Sequence, residues 1–160
     1  MTFEDMQQFL QQQFPQGAQY GELLALGDAE ATMRLPVGDQ HLRPGGTVSG
    51  PAMMGLADVT VYAALLSRIG PVALAVTTNL NINFLRKPLP EADIIAKATM
   101  LKVGKRLGIG EVSIFSDGDP EPVAHATMTY SIPVSTPDSV PAAATSTATS
   151  ATTQERENRA

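Results

Sequence analysis

Hydrophobic and polar positions follow two periods along this chain. From Leu74 to Arg86, Leu74, Val76, Leu80, Ile82 and Phe84 share one face with Thr78, while Ala75, Thr77, Asn79, Asn81 and Asn83 fall on the other. A period of two predicts a half-buried strand. The same alternation sets Ala29, Ala31, Met33, Leu35 and Val37 against Glu30, Thr32 and Arg34. It recurs where Ala124, Ala126, Met128, Tyr130 and Ile132 oppose His125, Thr127, Thr129 and Ser131. Strands are therefore predicted over Glu22–Leu26, Ala29–Val37, Leu74–Arg86, Ala92–Val103, Leu107–Ser116 and Val123–Ile132. Gly27-Asp28, the Pro-containing 87–91 segment, Gly104-Lys105-Arg106 and Asp117-Gly118-Asp119-Pro120 supply the turns between them.

Two segments have the helical period instead. Phe3, Met6, Leu10 and Phe14 form one stripe of an amphipathic helix over 2–14, with Thr2 as cap and Asp5 in the first turn. The second helix begins at Pro51, suited to a first helical turn by its fixed φ and missing N–H, and Gly70-Pro71 closes it. From Pro51 to Ser67 it is apolar or small on every face, which predicts burial all round. Asp58 is its single charged residue, and one turn away stand Met54, Gly55, Val61 and Tyr62, none of them basic. A buried carboxylate without a partner is unfavourable, so it is either satisfied from another element or retained for chemistry.

Strands joined by short turns favour an antiparallel sheet, and one sheet carrying one long apolar helix is an α+β two-layer domain. The helix is more apolar than a single sheet face requires, which predicts association with a second copy. Composition adds limits. The chain has 160 residues, 43% of them hydrophobic, as expected for one domain plus tails. It divides into an N-terminal helix and linker (1–19), a domain over 20–133, and a Pro/Ala/Ser/Thr-rich segment, 134–160, too poor in large apolar groups to order. The absence of cysteine excludes disulfides, a thiolate nucleophile and zinc–sulfur sites. Two histidines, His41 and His125, make a histidine metal centre unexpected, and a net charge of −5 argues against nucleic acid as a partner. No run of roughly 18 consecutive apolar residues is present. The acidic, Gln-rich start is unlike a secretory signal, so no membrane association and a cytoplasmic location are expected.

The loop RPGGTVSGPAMMGLAD, from Arg43 to Asp58, together with the strand ending Phe84-Leu85-Arg86-Lys87-Pro88 and the segment Gly104-Lys105-Arg106-Leu107, resembles the PaaI-type hotdog-fold acyl-CoA thioesterases. The resemblance covers roughly residues 20–133. In that family the loop reads close to H-x-N-P-x-G-x-V-H-G-G, with an acidic residue eight positions after the first Gly of the pair. Gly50 and Asp58 have that spacing here. Arg43 stands at the family's Asn position, Ser49 at its His position and Pro51 at the second Gly. The resemblance implies a hotdog fold, an antiparallel sheet wrapped around one long central helix. It also implies hydrolysis of a thioester to a free acid and coenzyme A, with no cofactor beyond the coenzyme A of the substrate.

The residues can support that chemistry. The first N–H groups of a helix are orphan donors at the positive end of its dipole, so the Gly50 amide is a candidate oxyanion donor. Asp58 is a candidate general base on water, or a nucleophile giving a mixed anhydride. Thr77 occupies the place where related thioesterases carry a Ser or Thr near the carboxylate. Eight residues of helix separate Gly50 from Asp58 by roughly 12 Å, too far for one carbonyl to touch both. If they act together, Asp58 comes from the partner chain of a homodimer or homotetramer. Arg86, Lys87, Lys97, Lys102, Lys105 and Arg106 cluster in one stretch, and the resemblance suggests Arg86, Lys105 and Arg106 as contacts for the coenzyme A phosphates. Alternatively, that charge is a solvated edge opposing aggregation. Ser49 and Arg43 are candidate substrate contacts, Arg43 toward a carboxylate or phosphate unless it is only a loop charge. The loss of the family's His and Asn keeps open a non-catalytic acyl-CoA binding or sensing protein.

Overall fold

In the computed structural model, which describes residues 1–134, the alternating segments pair as one six-stranded sheet. The strands are β1 (Glu22–Gly27), β2 (Glu30–Leu35), β3 (Val76–Phe84), β4 (Ile94–Val103), β5 (Leu107–Ser116) and β6 (Pro122–Ser131). Their order is β1-β2-β4-β5-β6-β3, with every pairing antiparallel. β3 follows the long helix yet sits at the far edge, bonded to β6 alone among the described residues. The tail expected over 134–160 lies, apart from Val134, outside the described residues.

The long helix, α2 (Gly50–Ile69), lies on the inner face of the sheet. Register explains that face. Ile94, Ala96, Ala98 and Met100 oppose Ser116, Ile114, Val112 and Gly110 across β4 and β5, and Ala124, Ala126, Met128 and Tyr130 continue the layer on β6. Gly108 and Gly110 let the helix come close: a Cβ on Gly108 would stand 2.8 Å from Leu65 Cδ1, and one on Gly110 would stand 3.1 Å from Val61 Cγ1. α2 is long and apolar enough to cross a bilayer by length and composition, but Leu56, Ala57, Val61 and Ala63 through Leu66 are spent on packing against this sheet.

Two expectations about burial need correction. α2 is not covered on every face: Pro51 and Met54 are exposed and Asp58 is half-buried, three positions of one helical stripe that the chain leaves open. Nor is β3 half-buried with one clean apolar face. Its position at the sheet edge leaves Val76 54% and Phe84 49% exposed, and its ladder shifts register between Thr77 and Asn79. Thr78 is the extra residue of this bulge, so the faces exchange there. Thr77 pairs with inward-facing Tyr130, and beyond the bulge Leu80, Ile82 and Phe84 pair with Met128, Ala126 and Ala124. Thr77 therefore shares the inner face with Leu80 and Ile82, and Val76 does not.

The N-terminal segment packs across α2. α1 (Phe3–Gln13) begins with a reciprocal capping box between Thr2 and Asp5, and its Met6 is fully buried. Phe14, where α1 ends, meets Tyr62 edge-on at a ring distance of 6.4 Å. A short 3-10 turn over Pro15–Gln19 brings the Tyr20 ring onto Gly55, where any Cβ would be 2.6 Å from it.

Candidate functional site

Asp58 is neither fully buried nor without partners. Thr77 Oγ1 donates to Asp58 Oδ1 at 2.6 Å, and Tyr130 OH approaches the same oxygen at 2.5 Å. The phenol also lies 2.7 Å from the Asp58 carbonyl oxygen. The helix itself offers no partner, and both donors come from the sheet, where Thr77 and Tyr130 are a cross-strand pair with side chains on one face. Oδ2 has no donor among the described residues. One carboxylate oxygen is thus fixed and the other left open to accept a proton or attack carbon.

Burial, and then the adjacent Asp58 carboxylate, push the Tyr130 phenol well above the usual tyrosine range. It remains a neutral donor at any ordinary pH. Tyr62 stacks on it with centroids 6.2 Å apart and donates its own hydroxyl to the Ala73 carbonyl at 3.1 Å. These groups wall a cleft of about 250 Å³ that also touches Phe14, Val59 and Val76. Tyr130 does not stand out in the sequence as a site residue, because its place in the alternation marks it as core. The available signal was that a buried tyrosine needs a partner for its hydroxyl.

The second group surrounds the start of α2. Ser49 is its N-cap, its Oγ accepting from Ala52 N–H at 3.3 Å. Its hydroxyl thus satisfies one of the free N–H groups at the start of the helix. The preceding loop folds back on itself: Arg43 N–H donates to Thr47 O, Gly46 N–H to Arg43 O, and Ser49 N–H to His41 O. Gly45 and Gly46 have φ of 99° and 79°, which favours glycine. The Gly50 N–H, beside the ring of Phe84, has no acceptor among the described residues. Gly50, Arg43, Phe84, Arg86 and Lys87 line a broad cleft of about 790 Å³. Arg86 is already held there, its Nε donating to Pro122 O at 3.0 Å and its Nη2 lying 3.4 Å from Glu121.

Within the chain the two groups lie at opposite ends of β3. Thr77 marks one end and Phe84 the other, and seven strand residues span roughly 23 Å. The exposed Lys105-Arg106 turn belongs to the Asp58 end, since Ile132 N–H donates to Arg106 O and Gly108 pairs with Tyr130. Arg86, Arg43, Ser49 and Gly50 belong to the other. Neither histidine lines the Asp58 cleft. His125 faces Glu111 at 3.1 Å, and His41 Nδ1 accepts from Gly38 N–H at 2.9 Å. Among the described residues, no three His, Asp or Glu side chains come together as a metal-ligand set.

The chain matches the model of the thioesterase superfamily over residues 45–123. It is similar to a solved structure of a candidate thioesterase from a Silicibacter species, with 49% identity over 81% of this chain and 90% of that one, and a TM-score of 0.75. It is also similar to a point mutant of the phenylacetic acid degradation protein PaaI from Thermus thermophilus. There the identity is 27%, the coverage 74% of this chain and 98% of that one, and the TM-score 0.65. A candidate esterase from Halobacterium salinarum is 32% identical over 97 residues, 58% of this chain, and the match spans only 63% of that curated relative's length. The sheet wrapped on one long helix and these likenesses agree: the chain belongs to the thioesterase superfamily, as a PaaI-type protein of the hotdog fold.

Proposed function

We propose that this protein hydrolyses acyl-CoA thioesters, with Asp58 as the reacting carboxylate, in an oligomer that joins the two groups of residues across a subunit interface. The observation that carries the reading is the Asp58 carboxylate, pinned through Oδ1 by Thr77 and Tyr130, with Oδ2 unpartnered among the described residues, beside a cleft. As general base, Oδ2 takes a proton from water while the water oxygen attacks the thioester carbonyl. The C–S bond then breaks, and the carboxyl returns the proton to the leaving thiolate. As nucleophile, the same oxygen attacks carbon directly, expelling the thiolate and forming a mixed anhydride that water cleaves. In either route negative charge develops on the carbonyl oxygen, for which a free helix-terminal N–H such as that of Gly50 is suited.

An antiparallel second copy laid along the open edge of β3 would bring the Gly50 end of one chain beside the Asp58 end of the other. Arg43, Lys87, Lys105 and Arg106 are then the cations available to the coenzyme A phosphates. Arg86 would have to exchange Glu121 for them. No cofactor is required beyond the substrate's own coenzyme A.

The test is Asp58→Asn against a panel of acyl-CoA esters, with the oligomer checked by light scattering. Turnover should fall by roughly a hundredfold or more. Turnover retained at the original rate removes Asp58 from the mechanism, and binding without turnover in the unaltered protein favours a sensing role. Label appearing in the Asp58 side chain after repeated turnover in ¹⁸O-water identifies the nucleophilic route, through attack of water on the Asp58 carboxyl carbon of the anhydride.

A further inference from the structure

Two cavities meet at Phe14. One is the Asp58 cleft of about 250 Å³. The other, about 260 Å³, lies beneath α1 and is walled by Leu10, Leu23, Met33 and Val59, with Gln7 and Glu22 among its lining. Phe14 and Val59 are the residues common to both. Each cavity is smaller than the roughly 300 Å³ at the lower end of small-molecule pockets, and together they fall inside that range.

Val59 is fixed on α2 and almost fully buried, whereas Phe14 is mounted differently. It terminates α1 with φ −139° and ψ 57°, outside helix and strand geometry, and the 3-10 turn follows at once. Its ring rests on Gly17, where a Cβ would be 2.6 Å away, and edge-on against Tyr62. Of the two side chains that stand between the spaces, Phe14 is therefore the one at an irregular chain position. The buried walls of this cavity include Leu23, Met33 and Val59, while Gln7, Gln11, Pro15, Ala18 and Glu22 are exposed at its solvent side. The one buried side-chain polar atom lacking a partner among the described residues, Thr47 Oγ1, lies elsewhere, so the buried part of this cavity holds no orphaned polar group.

We infer that the cavity beneath α1 receives the acyl tail of the substrate, an unbranched aliphatic chain, and that Phe14 is the partition the tail displaces. The inference rests on the thioesterase reading above, which places the reacting carbonyl at Asp58. Flexible Leu and Met walls suit a methylene run better than a ring. Phe14 is a specificity-determining residue in this scheme, with no part in the bond-making steps.

The experiment measures kcat/KM for acetyl-, hexanoyl- and decanoyl-CoA in the unaltered protein, in Phe14→Ala and in Leu10→Trp. In parallel, calorimetry on Asp58→Asn compares decanoyl-CoA with coenzyme A alone. The unaltered protein should favour longer chains, by about fourfold for each methylene that becomes buried. Phe14→Ala opens the partition and should raise the decanoyl-to-acetyl ratio. Leu10→Trp fills the inner cavity and should lower that ratio about tenfold or more, so the inference remains testable if Phe14→Ala does not fold. Hydrolysis that is flat across chain length, with ratios unmoved by Leu10→Trp, overturns the tail site and leaves the hydrolase reading intact. If no ester is hydrolysed but decanoyl-CoA binds Asp58→Asn more tightly than coenzyme A, and Leu10→Trp removes the difference, the tail site stands and the hydrolase reading falls.

Discussion

Tyr130 carries the one hydroxyl of an inward strand face otherwise made of Ala124, Ala126 and Met128, and that hydroxyl reaches Asp58. With its phenol pushed upward by burial and by the carboxylate, a linkage consequence follows. Below about pH 10 folded and unfolded chains both hold the proton, and the stabilisation is fully present. Above that pH the unfolded chain releases its proton first, so stability falls as pH rises toward the folded-state value. Tyr62 shifts in the same direction, also through burial. Urea unfolding at about pH 8 and pH 10.5 should therefore show a smaller alkaline loss in Tyr130→Phe than in the unaltered protein. Equal losses in the two proteins would mean that another group controls the alkaline limb. At this scale Asp58 stood out as a candidate because it is the single charge of an apolar stretch, and Gly50 because the family resemblance places a Gly eight residues before it. Tyr130 did not, because a residue's in-or-out position says nothing about which atom its tip will meet.

At the scale of elements, the helix and all six strands could be read from periodicity, and their ends differed by only one or two residues in most cases. The bulge at Thr78 could not. An extra residue changes which side chains share a face without changing composition, and only pairing with β6 reveals it. The consequence is specific: an unbroken period of two puts Thr77 on the face of Asn79, Asn81 and Asn83, and it lies on the inner one. The glycines of β5 were likewise silent in sequence, since a Gly in a strand has several causes. Here their cause is contact with α2 and with Met100, which leads to a prediction about packing. Gly110→Val would press a branched side chain against Met100 Sδ, 2.9 Å from the first added carbon, and against Val61. It should lower unfolding stability by about 1–3 kcal/mol in urea titration. A change within a few tenths would show that the helix yields freely at this contact.

At the scale of the whole molecule, the open edge of β3 and the Pro51–Met54–Asp58 stripe are surfaces that this chain leaves uncovered among the described residues. The over-apolar helix leads the sequence to an expected second copy, but the arrangement of two residue groups at opposite ends of one edge strand needed the sheet order. That arrangement has a consequence in the language of genetics. If Gly50 of one subunit serves Asp58 of another, two different inactive proteins should rescue each other. Asp58→Asn spoils one half of each site, and Gly50→Pro, which removes the amide, spoils the other. Each homo-oligomer is dead. In a randomly reassorted dimer, half of the molecules are mixed, and each mixed molecule gathers both defects into one site and leaves the other whole. Co-refolded in equal amounts, the pair should regain roughly a quarter of the unaltered activity. Sites contained within single chains would regain nothing, so interallelic complementation distinguishes a shared site from a private one without any knowledge of the preferred acyl group.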